Sequence, residues 1–228
     1  MLELSAELLA QARKMVLDHF LAHEVPPLLE DLMVQFRLSR VDAFEVLRAL
    51  EEAHHLKLVP ATQRILMAFP FSSIATPFRV TANGRQYFAN CAWDSVALHA
   101  TLGKAIRIDS RCHHCASPLE IVLEDGRMSQ SNVPDPRVYI AIPASRWWED
   151  ILVTCSNHMV FFQSEDHLRR WRDAHAGAGG ESLSVELTHR LGEPIYRHKM
   201  RLDYARPPKE QLAAHFTSLG LTGEFWRL

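Results

Sequence analysis

The apolar residues of this 228-residue chain change their spacing near residue 75, and that change limits the folds open to it. Before it they recur every three or four positions, as on one face of a helix, over residues 2–22, in "PPLLEDLMVQF" and in "SRVDAFEVLRALEEAHHL". Pro26-Pro27 suits the first turn of the second helix, and Ser39 is placed to cap the third. Two β-like runs, "LKLVPA" and "RILMAFPF", follow around Pro60. From residue 76 strand patterns dominate. "PFRVTANGRQYFA" carries an Asn83-Gly84 hairpin signal between β-rich arms. "KAIRIDSRC", "SPLEIVLEDGR", "RVYIAIPA" and "ILVTCSNHMVFFQ" read as further short β-rich runs, the last placing Cys155 at a strand end. "SEDHLRRWRDAHAG" reads as a helix capped by Ser164, "SLSVELTHRLGEPIYRHKM" continues helically, and the tail ends in a helix with an aromatic anchor. The expectation is an α+β chain: a winged-helix-like helical module over residues 1–75, then a mixed α/β catalytic domain over residues 76–228.

Three helices and a hairpin invite a DNA-binding reading, which the charges oppose. The candidate recognition helix, taken over Val41 to His55, holds Asp42, Glu45, Glu51 and Glu52 against Arg48, whereas a DNA backbone is met by lysine and arginine. The whole chain has a formal net charge of −2, which makes no case for nucleic acid or an anionic membrane. Glu7, Arg13 and Lys14 interrupt the first apolar stretch, so it reads as an amphipathic helix and not a signal peptide. No apolar run approaches the ~20 residues that span a bilayer. The protein is expected to be soluble and cytoplasmic, with its four cysteines, at positions 91, 112, 115 and 155, reduced and open to metals or chemistry.

The chemistry-bearing residues cluster in the middle of the chain. In "NCAWDSVALHATLG" Cys91 opens a helix, where the dipole and free N–H groups lower a thiol's pKa, and Asp94 follows one turn on. A buried small thiol beside a carboxylate that serves the helix N-terminus accounts for the same residues. Cys155 can be brought opposite Cys91, and two thiolates with a carboxylate suit a soft metal ion; it too can be a core residue. "RCHHCASP" sets Cys112 and Cys115 in half of a zinc-ribbon pattern with no second half. Cys91 and Cys155 complete a four-cysteine set only if the fold gathers all four. Trp93, Trp147 and Trp148 can wall a water-poor pocket or simply pack. His54, His55, His99, His158 and His167 fit packing or surface positions.

"YFANCAWDSVALHATLG", then "RIDSRC…SPLEIVL", then a cysteine ahead of "FFQSEDH…W", together resemble the organomercurial (alkylmercury) lyases over roughly residues 76–200. The Cys-Ala-x-Asp element is the specific part. The resemblance implies protonolysis of a carbon–mercury bond, giving a hydrocarbon and Hg(II). It assigns Cys91 and Cys155 as the thiolates that hold the substrate mercury and Asp94 as the proton relay. An ungapped match sets Ser156 at the second cysteine, and a one-residue shift brings Cys155 there. Cys112 matches a non-catalytic structural cysteine, while Cys115 has no counterpart in the pattern. No organic cofactor or catalytic metal is implied. The implied partners are an organomercury substrate and, for the Hg(II), small-molecule thiols or a mercuric reductase; nucleic acid and membrane are not expected. Two other functions fit the residues: a non-catalytic thiolate protein holding zinc or copper, and a metal-sensing winged-helix regulator.

Overall fold

Ser5 starts the first helix by accepting the Leu8 N–H on its hydroxyl, 3.2 Å away. The structure, a computed structural model, describes residues 4–228; Leu2 and Glu3, at the head of the first expected helix, lie outside the described residues. Helix α1 (Ala6–His23) buries Ala12, Val16, Leu17 and Phe20 along one face. Helix α2 (Leu29–Phe36) begins after Pro26-Pro27 and does not include them. The Asp31 carboxylate fixes that start by accepting the Leu28 N–H at 2.7 Å. Ser39 caps α3 (Arg40–Glu52), which buries Ala43, Val46, Leu47 and Leu50 at helical spacing.

Strands β1 (Lys57–Leu58) and β2 (Ile65–Ala68) pair antiparallel, and β3 (Phe71–Ser72) pairs back on β2. Strands β4 (Arg79–Ala82) and β5 (Arg85–Ala89) form the hairpin that Asn83-Gly84 signals. Both turn residues take positive φ, 50° and 75°, which is why asparagine and glycine stand there. Helix α4 (Ala92–Leu102) follows, then strands β6 (Ile106–Arg111), β7 (Pro118–Glu124) and β8 (Arg127–Ser131). These eight strands make one sheet in the order β1-β2-β3-β5-β4-β6-β7-β8. Strand β3, from the front part, pairs with β5, so hydrogen bonding continues past residue 75. In β7 Leu119, Ile121 and Leu123 are buried, the two-residue period of a sheet with one covered face. Helix α4 packs on β4–β7.

The remaining elements are β9 (Arg137–Ile140), α5 (Ile151–His158), β10 (Met159–Phe162), α6 (Glu165–Ala174), β11 (Glu181–Ser184), α7 (Val185–Tyr196) and α8 (Lys209–Ser218). Strands β10 and β11 flank β9 antiparallel in a second, three-stranded sheet. Helix α7 packs against α4. Two sequence expectations are corrected here. Residues 151–158 are helical although Ile151, Val153 and Thr154 favour strands, because the Asp150 carboxylate accepts the Leu152 and Val153 N–H groups, each at 3.1 Å. Residues 181–184 are a strand before the helix begins, with Ser184 both ending the strand and capping α7. No helix among the described residues is long and apolar enough to cross a membrane.

Candidate active site

The hairpin strand β5 delivers the chain to Asn90 and Cys91, and Cys91 is the N-cap of α4. Its extended backbone turns the sulfur back over the helix start, where Sγ accepts the Asp94 N–H at 3.3 Å. One turn along, the Asp94 carboxylate reaches the same space. Cys155 comes from α5, where burying one helix face sends Thr154 and Cys155 inward. Donor atoms of Cys91, Asp94 and Cys155 all lie within 4.8 Å of one another, and all three residues are buried. Ser156, one position on, is exposed. The Cys91 thiol also faces the Met159 thioether at 3.8 Å.

The group sits in an apolar cavity of about 70 Å³ within a second hydrophobic core. Trp93, Trp147, Trp148, Ile195 and Phe216 supply walls, so the three tryptophans do line the pocket. Trp93 and Trp147 meet edge-to-face at 5.1 Å. The front part of the chain contributes His54 and Phe69. A larger surface depression of about 880 Å³, beside Pro26 and Arg40, gathers no comparable set of reactive side chains.

Burial decides the protonation states. Desolvation holds the Cys91 thiol well above its ordinary pKa, helped by the facing Cys155 thiol and the Asp94 charge; the backbone N–H pulls weakly the other way. The thiolate expected from the helix position is therefore corrected: the resting group is a neutral thiol. At Cys155 the hydrogen bond from Cys91 pulls the pKa down, but burial and the Asp94 charge leave it raised. Desolvation also raises the Asp94 carboxyl, against the hydrogen bonds that favour its charged form. The Tyr196 hydroxyl donates to Oδ1 at 2.5 Å, and the Asn90 amide donates to Oδ2 at 3.0 Å. Lys199, buried at the pocket wall, is brought down to about 7, chiefly by burial and then by Arg206, while Asp94 opposes the shift. Its ammonium lies over the Tyr196 and Phe69 rings at 5.0 and 5.7 Å. Two thiols that can bind a soft cation thus share a largely apolar pocket with a carboxyl able to hold a proton that one of them releases.

The alkylmercury lyase family model matches residues 71–197, more than half of the chain and the whole span from β3 to the end of α7. The chain belongs to the alkylmercury lyase family. Among its relatives, an alkylmercury lyase of Bacillus cereus is 31% identical over 119 residues, covering 52% of this chain and 53% of that protein. One from Pseudomonas putida is 28% identical over 131 residues, covering 58% and 59% of the two chains. The chain thus spans about half the length of the curated relatives it matches. The crystal structure of the mercury-bound form of MerB2 shares the fold, with a TM-score of 0.65 at 19% identity over 87% of this chain and 92% of that one.

The lyase family's matched segment contains Cys91, Asp94, Cys155 and Tyr196 and stops short of Lys199. Sequence reasoning assigned nothing to Tyr196, Asn90, Met159 or Lys199. Asn90 stood beside the cysteine; the other three carry no local signal, since Tyr196 lies 102 residues from Asp94. The four cysteines do not converge: Cys91 and Cys155 form one group, and Cys112 and Cys115 belong to another.

Proposed function

We propose that this lyase-family chain is an organomercurial lyase, with Cys91 and Cys155 as the mercury-binding thiols and Asp94 as the proton relay. The observation that carries the reading is the convergence of the Cys91 and Cys155 thiols and the Asp94 carboxyl, all three buried, in one largely apolar pocket. An organomercury cation is a soft Lewis acid, so sulfur displaces its oxygen or halide ligand. As Cys91 binds mercury, its proton passes to Asp94, whose raised pKa equips it to hold that proton. Binding of Cys155 adds electron density to mercury and weakens the carbon–mercury bond. The electron pair of that bond then takes the proton from Asp94, forming the carbon–hydrogen bond of the released hydrocarbon. The Cys155 proton leaves with the displaced ligand, so two thiols and one organomercurial yield a mercury dithiolate, one hydrocarbon and one acid. Small-molecule thiols or a mercuric reductase then take the Hg(II).

Residues 1–75 are assigned as a winged-helix-like module and residues 76–228 as the catalytic part. The module's role here is to wall the pocket. Both arginines of its third helix are spent on acids of the module, Arg48 lying 3.4 Å from Glu45 and 4.0 Å from Glu52 and Arg40 pairing with Glu30, which supports that role over contact with nucleic acid.

The test is benzene release from phenylmercury in excess small-molecule thiol. Wild type is expected to release benzene, and Cys91→Ser to lose at least ~1,000-fold in rate, the scale of removing a group that acts directly in the transition state. Undiminished cleavage by folded Cys91→Ser would overturn the assignment.

A further inference from the structure

Outside the pocket, a second group of soft ligands converges. Cys112, Cys115 and His167 place their donor atoms within 4.8 Å of one another. The two cysteines occupy the turn between β6 and β7, which is closed by hydrogen bonds from the Ala116 N–H to the Cys112 carbonyl at 2.8 Å and from the Cys112 N–H to the Ser117 carbonyl at 2.9 Å. Ala116 takes a positive φ of 58°, which folds the turn tightly behind Cys115. The His113 N–H donates to the Phe161 carbonyl of β10 at 2.8 Å, so the turn is tied to the strand that leads into α6. Helix α6 carries His167 in its first turn, and the His167 N–H is capped by Ser164 at 3.3 Å.

The imidazole is already oriented. Nδ1 faces the Cys112 sulfur at 3.7 Å, and Nε2 is held by the Gln163 side-chain amide at 2.7 Å. Metal-bound histidines donate their second ring N–H to an outer partner that fixes the ring, so with a cation on Nδ1 the Gln163 amide turns its oxygen toward Nε2 to accept it. The His114 ring stands edge-on to His167 at 5.2 Å, and Cys115 is exposed, so the group has a route from solvent.

We propose that Cys112, Cys115 and His167 form a second metal site, which takes a thiophilic divalent d10 cation, zinc(II) or mercury(II), and leaves its fourth position open. Two thiolates and a neutral imidazole carry a charge of −2, which a divalent cation cancels and copper(I) does not. Sulfur donors disfavour magnesium and calcium. Three protein ligands with an open fourth position match a site that exchanges its cation or a ligand more closely than a closed structural centre. The site is independent of the lyase reading, since it shares no residue with the pocket.

The test titrates the chelator-treated full-length protein with cobalt(II) under a non-thiol reductant, reading thiolate-to-cobalt charge-transfer absorption. Wild type is expected to give this band with one equivalent of cobalt. Cys115→Ser and His167→Gln should each weaken binding by at least about tenfold. Both variants should still cleave phenylmercury at the wild-type rate, and Cys155→Ser should keep the band. Displacement of cobalt by zinc(II) identifies a zinc site, and displacement by mercury(II) alone identifies a store for released mercury. The proposal fails if wild type shows no band, if Cys115→Ser or His167→Gln binds cobalt as tightly as wild type, if the band vanishes in Cys155→Ser, or if neither cation displaces cobalt. Cys112 is buried and is left in place, so loss of the fold does not confound the reading.

Discussion

At Cys91 two local effects oppose each other, and their sizes decide the outcome. A helix N-terminus favours a thiolate by about 0.3–1 kcal/mol, up to ~2 in partly buried geometries. Removing a charged group from water costs several kcal/mol even after relaxation. Burial therefore prevails, and the thiol rests neutral. Asp94 shows the same contest with more partners, since burial raises its pKa while Tyr196 and Asn90 hold it down. Tyr196→Phe removes the stronger of those restraints, so the Asp94 pKa rises further. In the proposed reaction Asp94 must be ionised to take the first thiol proton, so the acid limb of kcat/KM should move to higher pH. A hydrogen bond to a charged group contributes roughly 1.5–3 kcal/mol, so kcat should fall about 10- to 100-fold. A pH–rate series on the variant measures both effects. An unmoved acid limb would show that Tyr196 does not position the carboxyl.

The pocket depends on how closely α7 approaches α4. Gly192 makes that approach possible: a Cβ there would stand 2.7 Å from Trp93 Nε1, 3.3 Å from Tyr196 Cδ2 and 3.6 Å from the Ala97 Cβ. Gly192→Ala gains up to ~1 kcal/mol of helix propensity but overpacks the contact, which costs roughly 1–3 kcal/mol. The net expectation is a lower Tm. The loss in kcat should exceed what stability alone explains, since Trp93 and Tyr196 both move. Thermal unfolding and phenylmercury turnover on the same sample separate the two effects. Two residues further on, Pro194 lies inside α7 and cannot donate to the Arg190 carbonyl. His215 of α8 supplies that missing hydrogen bond through Nε2 at 2.8 Å, which fastens α8 to the back of α7. The element boundaries were legible where a single cap or turn decided them, as at Ser39, Asn83-Gly84 and Ser164. They were not legible at α5, where β-branched composition and an aspartate cap point to different structures.

Across the whole molecule, distant segments close the site. Arg13, one of the charges that mark the first helix as amphipathic, is buried. Its guanidinium donates to the Lys199 and Arg201 carbonyls, each at 2.5 Å, so α1 braces the segment that places Lys199. Lys199 has its pKa lowered from 10.5 to about 7, by burial and by Arg206. Between those values the unfolded chain carries the proton and the folded chain does not, so this residue makes stability rise with pH. Its penalty is full below the folded value and fades as pH climbs. Lys199→Met keeps the length and removes the charge; its urea midpoint should exceed that of wild type near pH 7, with the gap narrowing toward about pH 9. A gap that stays constant with pH would place the charged lysine in water.

The sequence by itself determined the helical front and the strand-rich part that follows it, the starts capped by Ser39 and Ser164, the hairpin, and the Cys91–Asp94 pair one helical turn apart. These depend on neighbours in the chain. Tertiary structure alone decided that Cys155 turns inward from a helix, that Tyr196 reaches Asp94, and that Cys112 and Cys115 meet His167 instead of Cys91. It also decided the protonation of the pocket, because desolvation is set by everything packed around a group and not by the residues beside it in the sequence.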